Sequence, residues 1–329
     1  MSRPSAGFRR LALATGLATF ALILVGGVVR VSDSGLGCGP AGSGFNGWPF
    51  CNGDVVPGLD LNSVIEYTHR VLAGAVGVMM IVLAVLAVRH YRDRRGLVRA
   101  SVAAAGLVIA QGLLGAATVE QNLDELLVAS HLGLAMGLLA LTLYVWRECR
   151  DPGAVEPTHS SQPSEPRLRT LSLVASALVF CTIVAGGYMA GTQNYGRADY
   201  QLGDGAHHAC GKEFPTCNGG FLPFGEAKLV DIHLTHRVFM YLAVIAVSVL
   251  GLLALRRGYK RAAHLLAGLL VAQVVLGALN VWLDEYELLI LAHLALGTLL
   301  WAASMNLVFQ LYAARETVPA GARGQPVAA

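Results

Sequence analysis

The sequence predicts an all-α polytopic membrane protein: eight transmembrane helices in two tandem four-helix bundles, related by a pseudo-two-fold axis along the membrane normal. Three observations predict it. Of the 329 residues, 55% are hydrophobic and 14% charged, whereas about 25% of an ordinary soluble domain is charged. The apolar residues gather into runs of about 20, the length that crosses a bilayer core. The chain also repeats itself once over four of those runs. The same figures exclude other classes. Hydrophobicity excludes disorder, six Cys in so long a chain exclude a disulfide-dense mini-domain, and a net charge of +3 excludes a nucleic-acid binder.

In chain order the runs cover about Leu11–Val29, Val64–Val88, Val98–Thr118, Leu126–Trp146, Leu171–Ala190, Ile232–Leu255, Ala262–Leu283 and Leu288–Leu311. The first follows Arg9 and Arg10. It is too long for a signal-peptide apolar segment and no small-residue cleavage pattern closes it, so it reads as a retained helix. Lys and Arg sort by side, as expected if cytoplasmic loops collect them. Of the 24 basic residues, 18 precede span 1, follow span 8 or surround the turns after spans 2, 4 and 6. The opposite loops hold Arg197, Lys212 and Lys228, while Arg30, Arg70 and Arg237 sit near the outer span ends. Both termini are therefore expected in the cytoplasm. Sorted this way, the inner segments carry +12 and the outer ones −11, and Glu66 is the one carboxylate within the spans.

The repeat is explicit. Ile65–Arg70 reads I-E-Y-T-H-R and Ile232–Arg237 reads I-H-L-T-H-R; Gln111–Ala116 corresponds to Gln273–Ala278, and Ala129–Leu134 to Leu291–Leu296. Four spans per unit is even, so the copies share one orientation, unlike inverted transporter repeats. The expected organisation is a first bundle at 1–150, a cytoplasmic linker at 151–167 rich in Pro, Ser and Glu, a second bundle at 168–315, and a disordered tail at 316–329.

Four of the ten histidines occupy matched places: His69, His131, His236 and His293 lie early in even-numbered spans, at similar depth in the outer leaflet. His69 with His131, and His236 with His293, could each supply two axial nitrogens to a haem iron across a bundle. Arg70 and Arg237 could approach haem propionates. The plainer alternative is packing histidines hydrogen-bonded between helices. Zinc is weaker, because no Cys, Asp or third His completes a tetrahedral site. Glu66 precedes His69 by three residues, whereas the counterpart before His236 is His233. A carboxylate there is costly and points to proton transfer or stabilisation of positive charge, the alternative being an ion pair with Arg70 or Arg30. The first bundle is thus the candidate for chemistry and the second for a resident cofactor.

Cys38 and Cys51, and Cys210 and Cys217, fall in corresponding outer loops, where an oxidising environment favours the disulfides Cys38–Cys51 and Cys210–Cys217. Cys149 and Cys181 read as reduced and structural. His90 and His264 lie near the cytoplasmic ends, His159 in the linker, and His207 and His208 in the long outer loop, without further ligands for a metal.

Together these residues resemble the haem A synthase family, across residues 8–312. The resemblance rests on Ser34-Gly35-Leu36-Gly37-Cys38, Trp48-Pro49-Phe50-Cys51, Glu66-Tyr67-Thr68-His69-Arg70, Thr235-His236-Arg237, His131 and His293. The family usually has a short Pro-Asp-Trp-Pro connection after the first Cys, which Gly39–Gly47 lengthens here. The resemblance implies oxidation of the C8 methyl of haem O to a formyl group by successive hydroxylations, in haem A biosynthesis for cytochrome oxidase. It implies Glu66 near the reacting methyl, His69 and His131 around the substrate haem, and a haem b held through its iron by His236 and His293. Haem O is the expected partner, in a bacterial plasma membrane, with haem O synthase or cytochrome oxidase assembly proteins as further partners and the electron acceptor unassigned. Two other functions compete: a di-haem cytochrome b passing electrons, and a haem transporter or chaperone.

Overall fold

The computed structural model describes residues 3–149, 166–192, 205–283 and 287–316. The expected linker, apart from Pro166 and Arg167, the expected tail, apart from Glu316, and His159 lie outside the described residues. Within them the long helices are α1 (Ala6–Val31), α2 (Leu61–His90), α3 (Arg95–Glu120), α4 (Glu125–Glu148), α5 (Pro166–Gly191), α6 (Lys228–Arg256), α7 (Lys260–Trp282) and α8 (Glu287–Glu316). All eight are long and apolar enough to cross a membrane, and the chain is a multi-pass membrane protein.

The helices outrun the apolar runs, because backbone hydrogen bonding continues until a cap intervenes rather than stopping where hydrophobicity falls. α2 begins at Leu61, where Asp60 accepts the Ser63 N–H at 2.9 Å. That backbone bond holds the Asp60 carboxyl below the usual carboxylate range. Asp124 caps α4 by accepting from Leu126 and Leu127 at 3.0 and 3.1 Å. α5 begins at Pro166, whose fixed φ and missing N–H suit the first helical turn.

α1 to α4 pack as a closed ring in chain order, with α4 returning to α1; α5 to α8 form a second ring. The rings meet where α5 packs on α4 and where α8 packs on α1 and α4. Buried Trp301 of α8 donates Nε1–H to the Met136 carbonyl of α4 at 2.9 Å. Arg30 donates to the Ala190 carbonyl of α5 at 2.5 and 3.1 Å, and Arg147 bonds Asn306. Two glycines let this seam close. A β-carbon on Gly27 would lie 2.6 Å from Leu294 Cδ2, and one on Gly187 2.9 Å from Leu132 Cδ2. Elsewhere the outward faces are apolar: Val71, Val78, Ile81 and Val85 of α2, and Leu242, Ile245, Val249 and Leu252 of α6, are exposed at helical spacing, as a lipid-facing surface requires. At the far end Cys149 is buried, which pushes its thiol up to about 12.

Loops between α1 and α2 and before α6 are closed by Cys38–Cys51 and Cys210–Cys217, the two expected pairs. The second cysteine of each opens the same turn. Cys51 with Asp54, and Cys217 with Gly220, exchange backbone bonds of 2.8 to 3.1 Å. The central residues Asn52, Gly53, Asn218 and Gly219 have φ of 55°, 87°, 49° and 78°, which Asn-Gly adopts readily. The Trp48–Pro49 and Phe214–Pro215 bonds are both cis. Within the lengthened part of the first loop, a 3-10 turn at Gly44–Asn46 presents exposed Phe45.

Candidate functional site

His69 and His236 stand eight residues into α2 and α6, and His131 and His293 six into α4 and α8. At 1.5 Å per residue all four imidazoles lie roughly 9–12 Å from the N-terminal ends of their helices. Ring order sets α2 opposite α4 and α6 opposite α8. His69 and His131 therefore sit on opposite helices of the first ring, and His236 and His293 on opposite helices of the second.

Each imidazole rests on a glycine of the helix that precedes it in the chain. A β-carbon on Gly26 of α1 would lie 3.2 Å from His69 Cε1, and one on Gly115 of α3 3.2 Å from His131 Cε1. The corresponding distances are 3.1 Å from Gly186 of α5 to His236 and 3.1 Å from Gly277 of α7 to His293. The four glycines escape a reading of motifs, although Gly115 and Gly277 lie inside the repeated Gln-containing segment and Gly26-Gly27 recurs as Gly186-Gly187. Their partners come from other helices, which spacing within one helix does not reveal.

The ring nitrogens set His236 apart from the other three. His236 Nδ1 bonds the Thr182 carbonyl at 3.0 Å. Nδ1 of His69, His131 and His293 is buried without a hydrogen-bond partner among the described residues. His293 instead meets the Gln273 amide through Nε2 at 3.2 Å. Gln111, the counterpart of Gln273, donates to the His131 carbonyl at 2.7 Å. Among the described residues, no group of three or more His, Cys, Asp and Glu side chains is placed to hold a metal ion.

Glu66 is buried, and its position explains the company it keeps. Its Oε2 accepts the Cys38 N–H at 2.7 Å and its Oε1 pairs with Arg70. Of the two arginines considered for that pair, Arg30 instead crosses to α5. Arg70 also donates to the Gly47 and Phe50 carbonyls at 2.6 and 2.9 Å. The second half builds the same joint from other groups. His233 Nδ1 bonds the Ala206 carbonyl at 2.7 Å, and Arg237 donates to the Thr216 and Glu213 carbonyls at 2.7 and 2.8 Å while lying 5.6 Å over the Phe214 ring. His233 and the loop segments Pro49-Phe50-Cys51-Asn52-Gly53 and Pro215-Thr216-Cys217-Asn218-Gly219 are further parts of the site; the recurring Pro-x-Cys-Asn-Gly is the signal for them.

Fold and site define a class: a polytopic helical membrane protein with two pairs of intramembrane histidines, each beneath a loop closed by a disulfide. The family model described as cytochrome oxidase assembly protein, COX15-CtaA, matches residues 59–305. The chain belongs to that family. Among relatives, the heme A synthase of Symbiobacterium thermophilum is 30% identical over 325 residues, covering 95% of this chain and 99% of its own. Those of Alkalihalophilus pseudofirmus and Halalkalibacterium halodurans are 31% and 29% identical, each covering 74% of this chain and 75% and 74% of their own.

Proposed function

We propose that this chain is a haem A synthase, an oxidoreductase that converts the C8 methyl of haem O to a formyl group. The observation that carries the reading is the duplicated histidine pair with a carboxylate beside only one copy, in a chain whose relatives bear that name. The first half, 1–150, takes the substrate between His69 and His131, and the second, 168–315, retains a haem b on His236 and His293. The reciprocal seam through Gly27 and Gly187 supports a two-fold relation of the halves along the membrane normal. The excess of Lys and Arg in alternate loops supports cytoplasmic termini in a bacterial plasma membrane.

The residues present suit an iron porphyrin. Half-buried imidazoles placed in pairs on opposite helices of each ring are a donor set that an iron porphyrin takes in a helical bundle. A haem b held by His236 and His293 would supply one-electron redox chemistry. The His236 Nδ1 bond to the Thr182 carbonyl fixes the tautomer that leaves Nε2 as the ligand. Each hydroxylation replaces a C–H bond by C–OH; balanced with water as the oxygen donor, it releases two protons and passes two electrons to an external acceptor, giving a hydroxymethyl and then a geminal diol that loses water to the aldehyde. Glu66 takes up protons or offsets positive charge at this carbon. Arg70 and Arg237, whose terminal nitrogens bond loop carbonyls, are the cations that would meet the propionates of a bound haem.

A second reading of Glu66 has its own support, since its contacts clasp the first loop to α2. Glu66→Gln separates the two, because the amide oxygen still accepts the Cys38 N–H without the charge. With haem O supplied to membranes, the mass of extracted pigment should show the formyl product for the wild type and none for Glu66→Gln, with the second-half haem spectrum intact. Normal conversion by Glu66→Gln would make the residue a clasp only. Unchanged haem O with the wild type, despite a competent electron acceptor, would favour the cytochrome or carrier functions.

A further inference from the structure

Four contacts of one kind, on four different helices, have no part in the reaction described so far. Gly26, Gly115, Gly186 and Gly277 each face the Cε1 edge of an imidazole, at 3.1 to 3.2 Å from where a β-carbon would stand. Lipid-facing glycines in the same helices meet nothing: Gly112 of α3 and Gly268 of α7 have open space where a β-carbon would go. Among the helix glycines, close approach falls at the histidines, at the seam, and at Gly96 and Gly297, which meet Tyr144 and Gln273 at 3.0 and 3.1 Å. At Gly186 its purpose is visible. The ring is turned so that Nδ1 would also be 3.2 Å from the β-carbon, and it bonds the Thr182 carbonyl, one turn earlier on the helix supplying the glycine. At the other three, Nδ1 stands 3.7 to 3.8 Å from the same point and is unpartnered among the described residues.

We propose that these four glycines are positioning residues of the haem sites. Each lets an imidazole lie directly on a neighbouring helix backbone, where the carbonyl one turn before the glycine can take Nδ1–H and leave Nε2 as the iron ligand. In that arrangement the acceptors are the carbonyls of Leu22, Gln111, Thr182 and Gln273. The bond already made at Thr182 marks His236 as the ligand set in advance, whereas His69, His131 and His293 are set only when a haem enters. The second half thus holds the one preset ligand, which suits the half that retains its haem. At His293, iron ligation replaces the Gln273 contact to Nε2. A side-chain partner is not needed, because the peptide carbonyl orients the ring and raises its basicity as a carboxylate would.

The inference rests on the axial-ligand reading, and the experiment tells their failures apart. Haem-loaded protein is purified as wild type, Gly277→Ala, Gly268→Ala, Gly186→Ala and His293→Ala, and bound haem per chain and the low-spin electron paramagnetic resonance signal are measured. Gly186→Ala and Gly277→Ala should weaken haem retention about tenfold and move the low-spin g values, while Gly268→Ala matches the wild type. If His293→Ala keeps the wild-type signal, the ligand reading fails. If His293→Ala loses it but Gly186→Ala and Gly277→Ala retain haem and g values unchanged, the glycine inference is overturned. Should Gly277→Ala not accumulate in the membrane, Gly277→Ala with His293→Ala decides. Recovery of accumulation, with the ring removed, supports the contact; continued loss overturns it.

Discussion

Glu66 and His233 occupy one position of the repeat and make the same kind of bond, from helix side chain to loop backbone, with opposite chemistry. The carboxylate accepts an N–H and carries charge; the imidazole bonds a carbonyl. Arg70 and Arg237 follow each at four residues and bind loop carbonyls in both halves. The His-Arg and Glu side chains are legible in the sequence, but the carbonyls they reach are not, because a peptide oxygen has no residue identity. Near this joint Asp33 adopts a φ of 54°, and burial raises its carboxyl above the usual range against the opposing pull of Arg30. With the folded pKa above the unfolded one, the ionised carboxylate costs stability at neutral pH, and the cost fades as pH falls through the raised pKa. Asp33→Asn, whose side chain tolerates this backbone, should raise the thermal midpoint in detergent at pH 7 and leave it unchanged near pH 3. No gain at pH 7 would refute the assignment.

The eight helices are readable because lipid offers the backbone no hydrogen bonds, so an apolar run of spanning length has to be helical. Their ends are less readable, since a cap depends on one side chain and local φ rather than on the run. The turn from α3 to α4 shows why. Asn122 and Leu123 both have positive φ, 54° and 57°, and Leu123 packs where a β-carbon on Gly35 would be 2.9 Å away. Leucine in that conformation carries no sequence signal. Asp124, ending this turn, caps α4. Asp124→Ala should cost about 1 kcal/mol, read as a lower thermal midpoint, and an unchanged midpoint would show that the turn alone holds the helix start. The pairing of the histidines is legible from the repeat, whereas the glycine beneath each ring is not, because it is paired by packing across helices.

At the scale of the molecule, each ring of four helices closes on itself, and the seam is made by α1, α4, α5 and α8 with Trp301, Arg30 and Arg147 bonding across it. Covalent continuity between the halves is then unnecessary for their association. Residues 1–150 and 151–329 expressed as separate chains should co-purify from membranes with the low-spin haem signal of the intact protein. Recovery of the two pieces apart would mean that the linker, rather than the seam, keeps them together.

Gly26-Gly27 and Gly186-Gly187 add a mechanical consequence. Neighbouring residues on an α-helix point about 100° apart, so each glycine pair serves two surfaces at once: the floor beneath its own histidine and the seam to the other half. One short helix segment thus fixes both the contact to Leu294 or Leu132 across the seam and the place of His69 or His236, so a side chain at either glycine of a pair disturbs only one of the two surfaces.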